Sequence, residues 1–368
     1  MKIYILPFTM VLLFSSCKKS SNSPAPNPTP GNSGSVYAVG YESNGTVTVA
    51  KYWKDNVAVN LTDGTRNAQA SGIYISGSDV YISGFEMNAS GIQVAKYWKN
   101  GTEVVLSDGT RNELAYAIAV SGNNVFVLGD LYSADTKTVY TREWVNGTAY
   151  TGTGGIPSGV TLALSFNSAV TQSNGVFYLA GTTKTQTSAG LVESAITWSH
   201  TLPFALVAPT TITDNSVANS IAVSGSDVYV AGTVKGQLAP SYSTIAYYWK
   251  NKFPFPLTDG TRGAGALGIC TSGTDVYVCG YEQTGPSSGS YPAIAKFWKN
   301  GTPISLGNGA ISTIARSIAV SGNDVYTCGN DSYVVSNYTY NHAYLWKNGT
   351  VIDSTMNAGA MVAVAIAP

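Results

Sequence analysis

Hydrophobic positions in this chain fall in short alternating runs separated by polar turns, and the whole pattern recurs. Runs such as Val80-Tyr81-Ile82-Ser83 alternate large apolar with other residues, which is the period of a half-buried β-strand. The repeating unit is about 50 residues long and contains a Ser-Gly turn. These turns start at Ser33, Ser76, Ser121, Ser224, Ser272 and Ser321, with a weaker copy near Gln172. Long helix-forming stretches are absent, so we expect few helices.

One tryptophan and one glycine mark each copy of the repeat at fixed positions. The tryptophans are Trp53, Trp98, Trp144, Trp198, Trp249, Trp298 and Trp346. The glycines of the second strand-like run are Gly40, Gly84, Gly129, Gly181, Gly232, Gly280 and Gly329. Since two independent markers count the same copies, we predict seven repeats.

Each copy contains four strand-like runs, of which the first is small and apolar and the third carries the tryptophan. Asn-Gly pairs such as Asn100-Gly101 lie between the third and fourth runs and favour a tight hairpin turn. Four antiparallel strands at this period are typical of a propeller blade. We therefore predict an all-β fold, a seven-bladed β-propeller with four antiparallel strands per blade. The strand registers of blades 3 and 4 stay open.

The two ends of the repeat region complement each other. The first copy lacks its innermost run, and the last copy is followed by an extra small apolar segment, residues 361–367. We predict that this C-terminal segment completes blade 1 and closes the ring, which removes exposed sheet edges. An open solenoid of the same repeats is the alternative.

The first residues have the pattern of a processing signal. Lys2 precedes an apolar run that is too short to cross a membrane, and Leu13-Phe14-Ser15-Ser16-Cys17 resembles a bacterial lipobox. We predict a lipoprotein signal peptide over residues 1–16 and a lipidated Cys17 that carries palmitate. Residues 17–32 would form a flexible tether and residues 33–368 the propeller. An ordinary signal peptide with an incidental cysteine is the alternative.

This signal predicts a lipid-anchored protein of the bacterial cell envelope, in the outer membrane, with its propeller in the periplasm or outside the cell.

Lysine plus arginine and aspartate plus glutamate both number 20, without runs of like charge, which argues against a nucleic-acid partner. We predict a monomer without cofactor or metal. Cys270, Cys279 and Cys328 allow at most one disulfide among them, and small buried core residues are the simpler interpretation.

The unit A-x-Y/F-W-K-N-G-x-x-x-x-L, seen for example over residues 95–106, resembles the repeat of the bacterial extracellular HAF family. The resemblance covers nearly all of the chain after the tether. Blade 4 departs from it around residues 196–200, and so does the end of blade 3. It implies an extracellular repeat protein and no assigned chemistry.

The two faces of the predicted propeller differ in variability. The turn face carries the short Ser-Gly-x-Asp and Asn-Gly turns, and the loop face carries the second-to-third-strand connections and the crossings between blades. Variable connections on a fixed frame favour ligand binding, with drift in unselected loops as the alternative. Aromatic and imidazole side chains there suit sugar rings or protein surfaces. The candidates are Tyr281, Tyr291, Tyr333, Tyr338, Tyr340 and His342.

A second set of candidates lies in the motif Asp-Gly-Thr-Arg before three blade crossings. Its arginines are Arg66, Arg111 and Arg262. They could form an anion- or sugar-binding rim. Since the motif repeats with its blade, we favour a structural interpretation. In it the aspartate closes its own turn and the arginine joins neighbouring blades.

Three classes of function stay open. The favoured one is a non-catalytic, envelope-anchored module that binds glycans or partner proteins. A propeller enzyme acting on polysaccharide, as a glycosidase or lyase, is the first alternative, with Glu42, Glu86 and Glu282 as its best acid candidates. A structural or assembly lipoprotein is the second.

Overall fold

The computed structural model describes residues 34–133, 139–150, 169–187, 190–199, 202–205, 215–236, 243–286, 291–335, 338–355 and 358–367. Within these ranges all regular structure is β-strand. None of the described segments forms a helix with the length and apolarity needed to cross a bilayer. The predicted signal, tether and lipidation residue Cys17 lie outside the described ranges.

The strands fall into blades in chain order. Blade 1 begins with Val36–Ser43 (β1), Thr48–Lys54 (β2) and Val57–Asn60 (β3). Blade 2 contains Ala68–Ser76 (β4), Asp79–Met87 (β5), Gln93–Lys99 (β6) and Thr102–Val105 (β7). Blade 3 contains Glu113–Ser121 (β8), Asn124–Tyr132 (β9), Val139–Val145 (β10) and Thr148–Tyr150 (β11). Blade 4 contains Ala169–Ser173 (β12), Val176–Thr187 (β13), Gly190–Ser199 (β14) and Leu202–Ala205 (β15).

The second half of the ring has the same order. Blade 5 contains Ser216–Ser224 (β16), Asp227–Lys235 (β17), Thr244–Lys250 (β18) and Phe253–Pro256 (β19). Blade 6 contains Arg262–Ser272 (β20), Asp275–Pro286 (β21), Ala293–Lys299 (β22) and Thr302–Ser305 (β23). Blade 7 contains Ser312–Ser321 (β24), Asp324–Val335 (β25), Tyr338–Tyr340 (β26), Ala343–Lys347 (β27) and Thr350–Ser354 (β28). The last strand is Gly359–Ile366 (β29).

The seven sheets form a closed ring, which confirms the predicted seven-bladed propeller. In each blade four antiparallel strands pair side by side, in sequence order from the inside out in blades 2 to 7, whereas the innermost strand of blade 1 is β29. The inner strands β4, β8, β12, β16, β20 and β24 each contact the next, and β29 contacts both β24 and β4. Blade 7 departs from the prediction by one short strand, because β26 folds back on the extended end of β25.

The C-terminal strand completes blade 1, as the complementary ends of the repeat predict. β29 pairs antiparallel with β1 from Val36↔Ile366 to Glu42↔Gly359. The backbone N–H of Ala367 also donates to the carbonyl oxygen of Ser35 at 2.8 Å. The strand leaves no free inner edge on β1.

The core lies between neighbouring blades and is built around the tryptophans. Trp98 packs with Val39 and Ala50 of blade 1, and Trp144 packs with Tyr97 and Leu106 of blade 2. The indole N–H of Trp144 donates to the carbonyl oxygen of Leu106 at 2.9 Å, which satisfies its polar end. Blades 2 and 3 are therefore each joined to the preceding blade by the tryptophan of their own third strand.

Hydrogen bonds that repeat from blade to blade hold the turn face together. Asn100 adopts a positive φ of 50° in its Asn-Gly turn, its side-chain oxygen accepts from the N–H of Val80 at 2.9 Å, and its amide donates to Asp79 at 2.8 Å. Lys99 forms an ion pair with Asp79 at 2.8 Å. The same aspartate–lysine pair recurs as Asp227–Lys250, Asp275–Lys299 and Asp324–Lys347. These aspartates thus join two turns of one blade.

The cysteines of the propeller are reduced and packed inside it. Cys279 and Cys328 are fully buried, and Cys270 is partly buried. Burial raises the pKa of the Cys270 thiol to about 12, so it is a poor nucleophile at neutral pH.

Candidate functional site

The inner strands enclose a central cavity of about 480 Å³, to which all seven blades contribute. Its lining comes mostly from the inner strands, including Gln69 at the start of β4 and Leu114 at the start of β8. Phe85 near the end of β5 and Gln93 at the start of β6 also contribute. The starts of β4 and β8 follow blade crossings, and Phe85 and Gln93 flank a second-to-third-strand connection. The cavity therefore lies toward the loop face.

A β-bulge in each of six inner strands places one unpaired residue at this cavity. The ladder register shifts by one residue, for example between Ala315 and Ser317 in blade 7. A bulge of this kind leaves the extra residue outside the ladder and redirects its side chain. All six bulge residues line the cavity, namely Val362, Ser71, Tyr116, Asn219, Leu267 and Arg316. The corresponding position of blade 4 lies outside the described ranges.

A second, apolar layer lies two residues further along the inner strands. There the lining residues of blades 2 to 7 are all β-branched. They are Ile73, Ile118, Val170, Ile221, Ile269 and Ile318. Since they lie nearer the turn face, the cavity has an aliphatic floor beneath a ring of chemically mixed side chains.

Arg316 is held in a defined orientation at the cavity wall. Its Nε donates to the side-chain oxygen of Asn330 at 2.6 Å. Asn330 is itself only 6% exposed, and its amide donates to the carbonyl oxygen of Asp331 at 2.8 Å. Arg316 is nevertheless an exposed residue, so the rest of its guanidinium faces the cavity.

Two further bulge residues connect the cavity wall to neighbouring groups. The amide of Asn219 donates to the carbonyl oxygen of Ala266 in blade 6 at 2.7 Å. Tyr116 lies beside Asp130, whose side chain is 1% exposed. Burial raises the pKa of Asp130 to about 7, and a hydrogen bond with Tyr116 opposes that rise.

Two of the tyrosine candidates from the sequence, Tyr281 and Tyr291, have described side chains, and neither lines the cavity. Tyr281 is partly buried between blades, where its ring packs on Gly265 and it hydrogen-bonds to Thr244 of blade 5. Tyr291 is 43% exposed, with its ring beside Gly285 at the end of β21. The side chains of Tyr333, Tyr338 and Tyr340 lie outside the described part of the structure.

His342 belongs to a buried polar cluster of blade 7. Its Nδ1 lies 3.1 Å from Asp331 Oδ2, and its backbone N–H donates to Asp331 Oδ1 at 2.7 Å. The hydroxyl of Tyr344 donates to the same carboxylate at 3.1 Å. This cluster ties the start of β27 to β25, and His342 does not reach the cavity lining.

The aspartate of the Asp-Gly-Thr-Arg motif closes its own turn, as the favoured interpretation has it, whereas the predicted joining of neighbouring blades by the arginine stays a prediction. Asp63 accepts hydrogen bonds from the backbone N–H and the hydroxyl of Thr65, which lower the pKa of its carboxyl group. Arg66, Arg111 and Arg262 are exposed, and within the described segments no ion pair joins them to another residue. A role for them in binding stays a prediction.

The glutamates proposed as acids for an enzyme are paired with lysines of the third strand. Glu42 bonds to Lys51 at 2.6 Å, Glu86 to Lys96 at 2.6 Å, and Glu282 to Lys296. All three pairs occupy one repeat position and are largely shielded from solvent. They have the arrangement of a repeated structural element within the blade.

Sequence reasoning did not identify the bulge residues, although a signal for them exists. The residue five positions before each Ser-Gly turn varies more than its neighbours: it is Arg316 in blade 7, Asn219 in blade 5 and Tyr116 in blade 3. Large polar residues inside an otherwise small, apolar strand indicate a position that faces a cavity. Among the residues that the structure describes, no group of three or more histidine, cysteine or acidic side chains could hold a metal ion.

No protein-family model matches this chain, and no curated protein matches it. Several solved structures match it at a low level. These include the acylaminoacyl peptidase of Pyrococcus horikoshii (TM-score 0.43, 12% identity, 77% of this chain and 45% of that chain). The six-bladed Aleuria aurantia lectin matches with TM-score 0.40 and 10% identity over 81% of this chain and 96% of that chain.

A mutant Trypanosoma rangeli sialidase matches with TM-score 0.38 and 10% identity, over 84% of this chain and 66% of that chain. This chain spans about half the length of the peptidases that it matches. Likeness at this level carries no argument about ligand or reaction.

Proposed function

We propose that this chain is a non-catalytic binding module of the bacterial envelope, which holds part of a glycan or of a partner protein in its central cavity. One observation carries the proposal. Side chains at equivalent positions recur from blade to blade on the turn face, whereas the six bulge residues around the cavity differ from one another. A purely structural position in a repeat is filled by the same residue each time.

The chemistry of the lining supports binding. Amides, hydroxyls and one guanidinium surround an aliphatic floor, so a ligand can form hydrogen bonds at its edge and apolar contacts at its face. A volume of about 480 Å³ lies within the range of small-ligand pockets and suits one or two sugar rings.

A glycan and polysaccharide binding screen on the intact chain tests this proposal. The informative variant is Asn219→Ala in the cavity, and the matched control is Tyr291→Ala on the loop face. We expect binding that Asn219→Ala weakens and Tyr291→Ala leaves unchanged. The reverse result would move the site to the loops, and failure of every glycan to bind would remove the sugar version of the proposal.

We also propose that Cys17 anchors the propeller to a membrane through palmitate, in a protein related to the extracellular HAF repeat family. The lipobox-like residues before Cys17 support this proposal. Labelling of cells with an alkyne analogue of palmitate should mark the wild-type chain and a Cys270→Ala control, and should not mark Cys17→Ala. Equal labelling of Cys17→Ala would overturn the anchor.

A further inference from the structure

We infer that Arg316 makes the central cavity a carboxylate-binding site, so that its ligand is an acidic sugar. This inference rests on the proposed binding function and specifies its ligand class. Arg316 is the single charged side chain among the described residues that line the cavity. The remaining lining groups are amides, hydroxyls, backbone and hydrocarbon, so none of them supplies a negative charge.

The guanidinium is oriented before any ligand arrives. Asn330 occupies its Nε, while the terminal nitrogens have no protein acceptor among the described residues. A guanidinium presents its donors in a planar fork that matches the two oxygens of a carboxylate. Because Asn330 fixes the plane, little side-chain entropy is lost when those donors bind.

Among the described residues, the absence of a counter-ion distinguishes Arg316 from the cations that are partly buried in the propeller. Lys51 and Lys96 each contact a glutamate, and Arg142 lies 3.4 Å from Glu113. Arg66 and Arg316 are both exposed, but Arg66 lies in a surface turn, whereas Arg316 lies at the wall of a cavity whose lining includes aliphatic side chains such as Ile318. Because such surroundings lower the local dielectric constant, an opposite charge there is attracted more strongly than in bulk water.

The neighbours of Arg316 in the ring of bulge residues define the rest of the ligand. Leu267 of blade 6 and Val362 of blade 1 flank it and offer apolar contact. Polar groups such as Asn219 and Tyr116 belong to blades further around the ring. A molecule with a carboxylate at one end, a hydrocarbon face and several hydroxyls satisfies all three regions, and a hexuronate ring has this composition.

Titration calorimetry of the intact chain with matched sugars tests the inference. The probes are glucuronate and galacturonate, free and as short oligomers, beside glucose and galactose, which carry a hydroxymethyl group in place of the carboxylate. We expect the acidic member of a pair to bind at least about tenfold more tightly, in line with hydrogen bonds to charged groups. Comparing the affinities of the free acids with those of the oligomers distinguishes a monosaccharide ligand from the end of an acidic polysaccharide.

Two cavity variants and one control make the result specific. Arg316→Gln removes the charge, and Leu267→Glu supplies an internal carboxylate beside it. Both should weaken acidic-sugar binding at least about tenfold and neutral-sugar binding by a clearly smaller factor, whereas Arg66→Gln should change neither. Since bulge positions already hold six different side chains, both variants should fold, which circular dichroism verifies.

The outcomes separate this inference from the broader proposal. Equal binding of acidic and neutral sugars, or acidic-sugar binding that survives Arg316→Gln, would overturn the carboxylate site while sustaining a glycan site. Binding of no sugar by the folded wild-type chain would overturn both the acidic-sugar ligand and the glycan version of the broader proposal, and would leave its partner-protein version.

Discussion

At the scale of single residues, the glycine and tryptophan that mark each repeat have a common physical cause. A Cβ atom on Gly84 would collide with the carbonyl oxygen of Gln69 on the inner strand and would lie 3.0 Å from the ring of Trp98. Gly129 has the same relation to Leu114 and Trp144. The glycine leaves room for both the inner strand and the indole to lie close to the second strand. The glycine and the tryptophan therefore appear together in the repeat.

The substitution Gly84→Ala should therefore lower the free energy of unfolding by about 3 kcal/mol, because neither neighbour can move without disturbing the blade. Gly77→Ala is the matched control: Gly77 has a φ of 58° and an open environment, so it should cost only about 1 kcal/mol of backbone strain. Urea denaturation measures both. Similar losses for the two variants would contradict this explanation.

Asp130 should make the stability of the propeller depend on pH near neutrality. Its pKa is about 7 in the folded protein, against a value of 3.8 without burial. The folded protein thus keeps a proton that the unfolded chain releases, so stability falls as the pH rises from about 4 to about 7 and is level above. A difference of that size corresponds to on the order of 4 kcal/mol.

Asp130→Asn should remove this dependence, which urea denaturation at pH 4, 6 and 8 would show as a gain in stability over wild type at pH 8 and little change at pH 4. Asp63→Asn is the control whose effect on stability at pH 8 should have the opposite sign. Hydrogen bonds from Thr65 lower the pKa of Asp63, so its substitution should remove stability there. An unchanged pH profile in Asp130→Asn would mean that another group carries the titration.

At the scale of elements, the repeated turn networks stabilise individual blades. Asn100 combines the positive φ that its turn requires with two side-chain hydrogen bonds, to Val80 and Asp79. Asn100→Gly preserves the backbone conformation and removes only those bonds, so it should cost about 1 kcal/mol. Asn100→Ala should cost about 1 kcal/mol more, because alanine is strained at this φ. Thermal unfolding of both variants separates the contribution of the two hydrogen bonds from that of backbone strain. Equal losses in the two variants would contradict a separate cost of backbone strain.

Sequence periodicity could predict the strands because alternation and Asn-Gly turns are local properties. It could not predict the bulges, since one extra residue in a run of small apolar residues leaves the run looking like an ordinary strand. Arg316 and Asn219 were consequently not identified as cavity residues. The role of Glu86 became clear only from its ion pair with Lys96 on the neighbouring strand. The site depends on the contacts between blades, which no single repeat contains.

At the scale of the whole molecule, β29 is the closing element. Its Met361 is fully buried and its Val364 nearly so, in one cluster with Ala38 of β1 and Tyr326 of blade 7. Deleting residues 359–368 should expose this cluster and the inner edge of β1. We expect a loss of more than about 3 kcal/mol in stability and binding of a hydrophobic dye.

A peptide with the sequence of residues 359–367, added in trans, should restore part of the lost stability by re-forming the ladder with β1. A peptide with the same composition in scrambled order is the control. If the shortened chain unfolds at the same urea concentration as wild type, blade 1 does not depend on this strand.

The pairing of Val36 with Ile366 also fixes an order of events during synthesis. β1 emerges from the ribosome long before β29 and must wait for it before it is paired on both sides. Contacts this distant in sequence form slowly, because the intervening chain loses the most entropy when they close. Until then the nascent protein carries an unprotected edge, so a chaperone that shields β1 would have most of the translation time in which to act.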